Sequence, residues 1–214
     1  MDNLNYFMIF YGLLLGLAMT EILSAIAPLL REDRLTARRI GLLAPLMVAL
    51  LLTEIMSSFI DAWDRLRGIE IELDDLIRPS LIGLLYFLAA AIALPQPLPE
   101  GEALDDHVLM RKGRVAATLI VLNLIVLTYE VGPVHTAVQA GHWGSVAIWT
   151  VGNAWLFASY AGLWLCSTRT WAAIWMAAAL VFFAAFYIED PTCMFAAESR
   201  AAAACQTPGA GKGA

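Results

Sequence analysis

Charge is what this chain has least of. Only 15% of its 214 residues are Asp, Glu, Lys or Arg, against about 25% in an ordinary soluble domain. The little charge present leans acidic, with 13 Lys and Arg against 19 Asp and Glu. There is no basic stripe to track phosphates, which excludes a nucleic-acid binder. Cysteine and histidine are equally scarce, at three each. Also missing are a Gly-rich phosphate loop, a nucleophile elbow, a zinc-hydrolase helix and paired carboxylates with nearby donors. These absences argue against an enzyme and against a metal site, and the sequence names no cofactor.

What the chain has instead is apolar length. Hydrophobic residues make up 60% of it, and they fall into six runs: about 5–30, 40–60, 79–94, 115–134, 144–166 and 170–188. A spanning helix needs roughly 20 apolar residues, with a range of about 17–25. The runs lack period-two alternation, and in hydrocarbon the backbone must satisfy its own hydrogen bonds, so they read as helices. The expected fold class is all-α: a polytopic membrane protein of about six transmembrane helices packed as a bundle. Residues 1–190 form that single domain, and 191–214 a short flexible tail ending Pro208-Gly209-Ala210-Gly211-Lys212-Gly213-Ala214. The connections are too short for a soluble domain. The third run is the shortest, and losing it would reverse the orientation of everything after it.

Punctuation marks the edges. Pro79 sits in the first turn of the third run, where its missing N–H costs nothing. Gly132-Pro133 closes the fourth. The connection 95–114 opens with Pro95-Gln96-Pro97-Leu98-Pro99 and continues with acids and then bases. It reads as a solvated linker, or otherwise as a short helix on the inner surface with its dipole complemented. Ala25-Ile26-Ala27 resembles a signal-peptide cleavage site. The residues before the run carry Asp2 and no Lys or Arg, and the run is too long, so the first helix is expected to be retained. Orientation follows the positive-inside rule. Arg31, Arg34, Arg38 and Arg39 dominate the count, putting both termini on the periplasmic or extracellular side.

That side permits disulfides, so Cys193 and Cys205 in the tail form either a bridge or two free thiols. Cys166 reads as a small apolar residue. His135 and His142 flank the short connection 134–142 and read as surface histidines, since no further ligands accompany them. His107 lies in the acidic connection.

Only three charged residues, Glu21, Glu54 and Glu130, fall inside the runs, and every Lys and Arg lies outside. A charge at mid-bilayer costs at least about 2.5–3.5 kcal/mol. With no countercharge in the membrane, each glutamate is expected to be protonated, to hold a cation, or to meet a partner from another chain. From the helical rise, Glu21 lies about 5 Å to the inner side of the midplane, Glu54 about 6 Å and Glu130 about 8 Å to the outer side. Glu54 and Glu130 are therefore expected at one level, where two carboxyls could share a proton. Glu54, Ser57, Ser58, Asp61 and Arg65 recur at helical spacing toward the outer surface. Asn123 shares a face with Glu130, seven residues on, and Asn153 is a further polar group at depth. This set (Glu54, Glu130, Glu21, Asn123 and Asp61) reads as a proton or cation path, or else as polar glue between helices.

Packing surfaces are legible too. Gly12, Gly16, Thr20 and Ser24 form a small-xxx-small stripe suited to helix packing, and Ala49, Thr53 and Ser57 a second one on which it is expected to pack. Trp143, Trp149, Trp164 and Trp171 lie near run ends and read as interface anchors. Trp155 and Trp175 lie deeper and read as lipid-facing or core residues. Thr20-Glu21-Ile22-Leu23-Ser24 echoes Thr53-Glu54-Ile55-Met56-Ser57, a short similarity that reads as coincidence rather than as an inverted repeat.

The stretch Tyr11-Gly12-Leu13-Leu14-Leu15-Gly16-Leu17-Ala18-Met19-Thr20-Glu21-Ile22-Leu23 resembles the first span of a family of small uncharacterised bacterial multi-pass inner-membrane proteins. Those proteins open with a Gly-rich span ending Thr-Glu-Leu/Ile-Leu, followed by an Arg-rich turn. The resemblance covers residues 1–40, and the Trp-rich second span of that family has no counterpart here. It implies a bacterial inner membrane and no particular activity. The expected function is an accessory or scaffold subunit of a membrane complex, or a self-associating protein, with a membrane-protein partner or second copy beside the lipid bilayer. The alternative is a proton- or cation-coupled transporter or channel using the glutamates.

Overall fold

Apolar runs of this length satisfy their backbone internally, and each is a helix in the computed structural model, which describes residues 3–31, 41–66, 74–94 and 104–188. The described residues form six helices and no strand: α1 (Asn3–Arg31), α2 (Leu43–Leu66), α3 (Asp74–Ala93), α4 (Leu104–Gln139), α5 (Trp143–Leu165) and α6 (Arg169–Ile188). Four of them, α1, α2, α4 and α5, are long and apolar enough to cross a membrane. The apolar parts of α3 and α6, Ile77–Ala93 and Arg169–Ala185, are shorter. The tail, with Cys193 and Cys205, lies outside the described residues.

The helices are arranged around α2. α1 packs chiefly on α3, α3 on α4, α4 on α5 and α5 on α6, while α2 touches α1, α3, α4 and α6. One side of α1 faces this centre through Phe7, Tyr11, Leu15, Ala18 and Ile22, at spacings of three and four. α2 answers with Met47, Leu50, Leu51 and Ile55, α4 with Val115, Ala116, Leu119 and Leu122, and α6 with Ala172, Met176, Ala179 and Phe183. The opposite faces carry exposed Ile9, Leu13, Leu17, Leu84, Val121, Leu124, Val151 and Val181. Large apolar side chains spread over the whole outer surface suit lipid rather than water.

Several sequence expectations need correction. α3 begins at Asp74, so Pro79 lies inside the helix rather than in its first turn. Gly132-Pro133 does not close α4, which runs on to Gln139. The true stop is Gly141, whose positive φ of 79° allows a Schellman closure: His142 N–H donates to the Ala137 carbonyl at 3.0 Å and Gly141 N–H to that of Val138 at 3.1 Å. His135 is therefore helical, and the connection to α5 is only a few residues long. The small-residue stripe of α1 is not the seam with α2. Gly12 approaches Phe59, but a Cβ on Gly16 would meet nothing within 4 Å, and Thr20 and Ser24 are exposed. Larger residues on the neighbouring face make the contact. The close approach lies instead between α5 and α6, where the Trp175 indole occupies the space a Cβ on Gly162 would need.

The linker reading of the third connection also fails for residues 104–114. They extend α4 and clamp one end of the bundle. Asp105, 7% exposed, accepts the backbone N–H groups of Leu42, Leu43 and Ala44, each at 3.0 Å. It thus caps the N-terminus of α2 from a distant part of the chain. Gly41, with φ 66°, has no room for a Cβ against that carboxylate. Two turns on, on the same face, the buried Lys112 ammonium donates to the carbonyls of Leu163 (3.1 Å), Trp164 (3.5 Å) and Cys166 at the C-terminus of α5. Each charge sits at the helix end whose dipole it complements. Asp106 pairs with Arg169 at the start of α6.

Removing this cap should be measurable. Asp105→Ala is expected to lower stability by about 1–2 kcal/mol, read as an earlier midpoint in mixed-micelle SDS unfolding. Asp105→Asn, which keeps an acceptor oxygen, should lose less. Equal losses would show that the carboxylate does not cap α2.

Candidate functional site

Glu54 lies midway along α2, the helix the others surround, and is 2% exposed. Its carboxylate is met from three other helices. Tyr86 of α3 donates its hydroxyl to Oε2 at 3.0 Å. Tyr160 of α5 donates to Oε1. Asn123 of α4 reaches Oε1 with Nδ2 at 3.5 Å, while that same nitrogen donates to the Leu119 carbonyl at 3.0 Å. Tyr86 and Tyr160 are both fully buried. A mid-span tyrosine whose tip cannot reach the interface needs an internal acceptor, and Glu54 is that acceptor.

The cluster continues toward the C-terminal end of α2. Ser58, one turn on from Glu54, is within hydrogen-bonding reach of Tyr86 and lies 2.5 Å from the hydroxyl of Tyr11 on α1. Ser57 turns its hydroxyl back to the Glu54 carbonyl at 2.9 Å. Asp61, half-buried, acts electrostatically on both Tyr11 and Glu54. Arg78 of α3 stacks over the Tyr129 ring of α4 with its guanidinium 5.4 Å from the centroid, and Tyr129 in turn lies in the field of Tyr11.

The structure thus gathers Glu54 and Asn123 directly, with Asp61 beyond them. Glu130 does not take the place expected for it. α4 presents Asn123 to Glu54, so Glu130, seven residues further along, stands about 10 Å away along the axis. Its carboxylate accepts the indole N–H of Trp149 on α5. Glu21 is half-buried on α1, about 15 Å along that helix from Tyr11, and also lies apart. The echo between the Glu21 and Glu54 segments extends to local geometry: Thr20 and Thr53 each donate to the carbonyl four residues back, at 2.8 Å, and Ile22 and Ile55 are both buried. Only Glu54 is enclosed. The side chain of Arg65 and the two tail cysteines lie outside the described residues. Asn153 donates to the Trp149 carbonyl at 3.1 Å, and Trp155 to that of Ala178 across the α5–α6 seam at 2.9 Å.

Sequence reasoning missed Tyr11, Tyr86 and Tyr160. The signal was available, since each is a phenol within an otherwise apolar run. It also missed the capping roles of Asp105 and Lys112, which depend on long-range contacts. Among the described residues, no three of His, Cys, Asp and Glu come together as a metal site would require. No protein-family model matches the chain, and no curated protein or solved structure shows significant similarity to it.

The donors around Glu54 set a stability expectation. Glu54→Leu orphans two buried hydroxyls, at about 1–3 kcal/mol each, whereas Glu54→Gln keeps an acceptor oxygen in place. SDS unfolding should rank wild type and Glu54→Gln well above Glu54→Leu. Restoring Glu54→Leu by adding Tyr86→Phe and Tyr160→Phe would confirm that the loss comes from orphaned hydroxyls.

Proposed function

We propose that this chain is an ion-coupled membrane protein in which Glu54 binds and releases a proton or cation. One observation carries the reading: a single carboxyl enclosed at the centre of the bundle, whose hydrogen-bond partners Tyr86, Tyr160 and Asn123 are all neutral. A neutral amide would join the same helices at lower desolvation cost. The carboxyl adds the capacity to change charge. The remainder of the reading is a six-span, non-enzymatic protein of the bacterial inner membrane with both termini outside. It rests on the distribution of Lys and Arg and on the likeness of the first span to small bacterial inner-membrane proteins. α3 and α6 would cross with apolar stretches about 25 Å long, a mismatch that local thinning and flanking polar side chains accommodate.

A second reading, an accessory subunit or a self-associating protein, is favoured by the uncovered stripe of α1, where Gly16 faces open space. The two readings separate in reconstituted vesicles. Wild-type protein should carry proton, sodium or potassium flux under an imposed gradient, and Glu54→Gln should reduce it by about a hundredfold or more. Absence of all three fluxes in the wild type, together with full cellular function of Glu54→Gln, would overturn the ion-coupled reading. Mass measurement in mild detergent tests the second, which a lone monomer with no co-purifying protein would overturn.

A further inference from the structure

The ion-coupled reading leaves open which ion Glu54 takes and how it arrives. We infer that the ion is a proton, delivered to Glu54 from Asp61 through a relay of three hydroxyls, Tyr11, Ser58 and Tyr86. This deepens the reading above and rests on it.

The argument begins with donors. Tyr86, Tyr160 and Asn123 all direct hydrogens at the Glu54 carboxylate. A metal ion is bound by several oxygens presenting lone pairs, and the surroundings of Glu54 present hydrogens. A proton needs only one oxygen of the carboxylate and leaves the donors in place.

The second point is continuity. Tyr11 and Ser58 lie 2.5 Å apart, oxygen to oxygen. Ser58 is within hydrogen-bonding reach of Tyr86, and Tyr86 is 3.0 Å from Oε2 of Glu54. Every member is a hydroxyl, able to accept one hydrogen bond while donating another. In one transfer Asp61 gives its proton to the Tyr11 oxygen, Tyr11 gives its own to Ser58, Ser58 to Tyr86, and Tyr86 to Glu54. Each hydroxyl gains one proton and loses one, Asp61 ends ionised, Glu54 ends neutral, and nothing is oxidised. A hydroxyl chain of this kind passes protons and has no room for a hydrated metal ion.

The third point is direction. Asp61 is half-buried whereas Ser58 and Glu54 are buried, so the relay runs inward from the C-terminal half of α2. At the other end of that helix the Asp105 and Lys112 clamp ties α4 to the ends of α2 and α5. The groups facing Glu54 are Tyr11 from α1, Tyr86 from α3 with Arg78 nearer the surface, Asn123 and Tyr129 from α4, and Tyr160 from α5. α6 presents the apolar Ala172, Met176, Ala179 and Phe183 to the core, and α2 itself adds Asp61.

The test is a pH jump on the full chain in vesicles, followed through the carboxyl stretching band that Glu54→Gln abolishes. Tyr11→Phe and Ser58→Ala should slow protonation of Glu54 by about a hundredfold and leave its final amplitude unchanged. Ser58→Thr should restore the rate. Tyr160→Phe, on the other carboxylate oxygen and off the relay, should leave the rate near wild type. Adding sodium or potassium at constant pH should leave the band in place. A band that titrates at the wild-type rate in both relay variants overturns the relay while the ion-coupled reading stands. Displacement of the band by sodium or potassium overturns the proton assignment alone. A Glu54 that does not change protonation across the stable pH range and is unaffected by either cation overturns the ion-coupled reading itself.

Discussion

The bundle depends on a carboxyl in a place where a carboxyl is expensive. Glu54 sits on the helix that the others surround, out of reach of water, and it receives hydrogen bonds from α3, α4 and α5. Helices in lipid gain little from apolar burial alone, because the hydrocarbon around them is as apolar as their own side chains. Directional contacts and close packing must do the sorting. A single acceptor shared among three partner helices fixes the rotation of α2 and the depth of each neighbour relative to it. The same contacts set α4 in register, so that Asn123 rather than Glu130 meets Glu54.

Away from that centre, the end of the bundle is fixed by charge placed at helix termini. Asp105 and Lys112 are two turns apart on one face of α4, one at a helix N-terminus and the other at a helix C-terminus. Both contacts use backbone groups that a helix end leaves unsatisfied. The two anchors leave the α4 extension little freedom to move relative to α2 and α5. Their burial also explains why the acidic-then-basic order of this segment is informative: the acid and the base serve different helices.

The remaining polar groups inside the apolar runs mostly satisfy themselves locally. Thr20, Thr53, Thr150 and Ser159 each return a hydroxyl to the carbonyl four residues back. Such bonds cost little and specify little. The tyrosines differ because the hydroxyl stands far from its own backbone and must be met by another helix. The Tyr11–Ser58 and Tyr86–Glu54 pairs therefore carry topological information that the serines and threonines do not.

The amino-acid sequence by itself determined the class and the element positions. Charge exclusion marks six apolar runs, and each is a helix close to its expected place. It also singled out Glu54 as an unpaired acid at depth. It misplaced the ends of α3 and α4, because proline marks a boundary only when tertiary packing does not carry the helix past it. It gave the α1–α2 seam to the wrong residues, because a stripe of small residues permits close approach without requiring it. Tertiary structure alone decided which acid is enclosed, which hydroxyls reach it and which helix ends are capped. Those outcomes depend on the relative depth and rotation of helices far apart in the chain, and residue spacing along one helix carries no information about either.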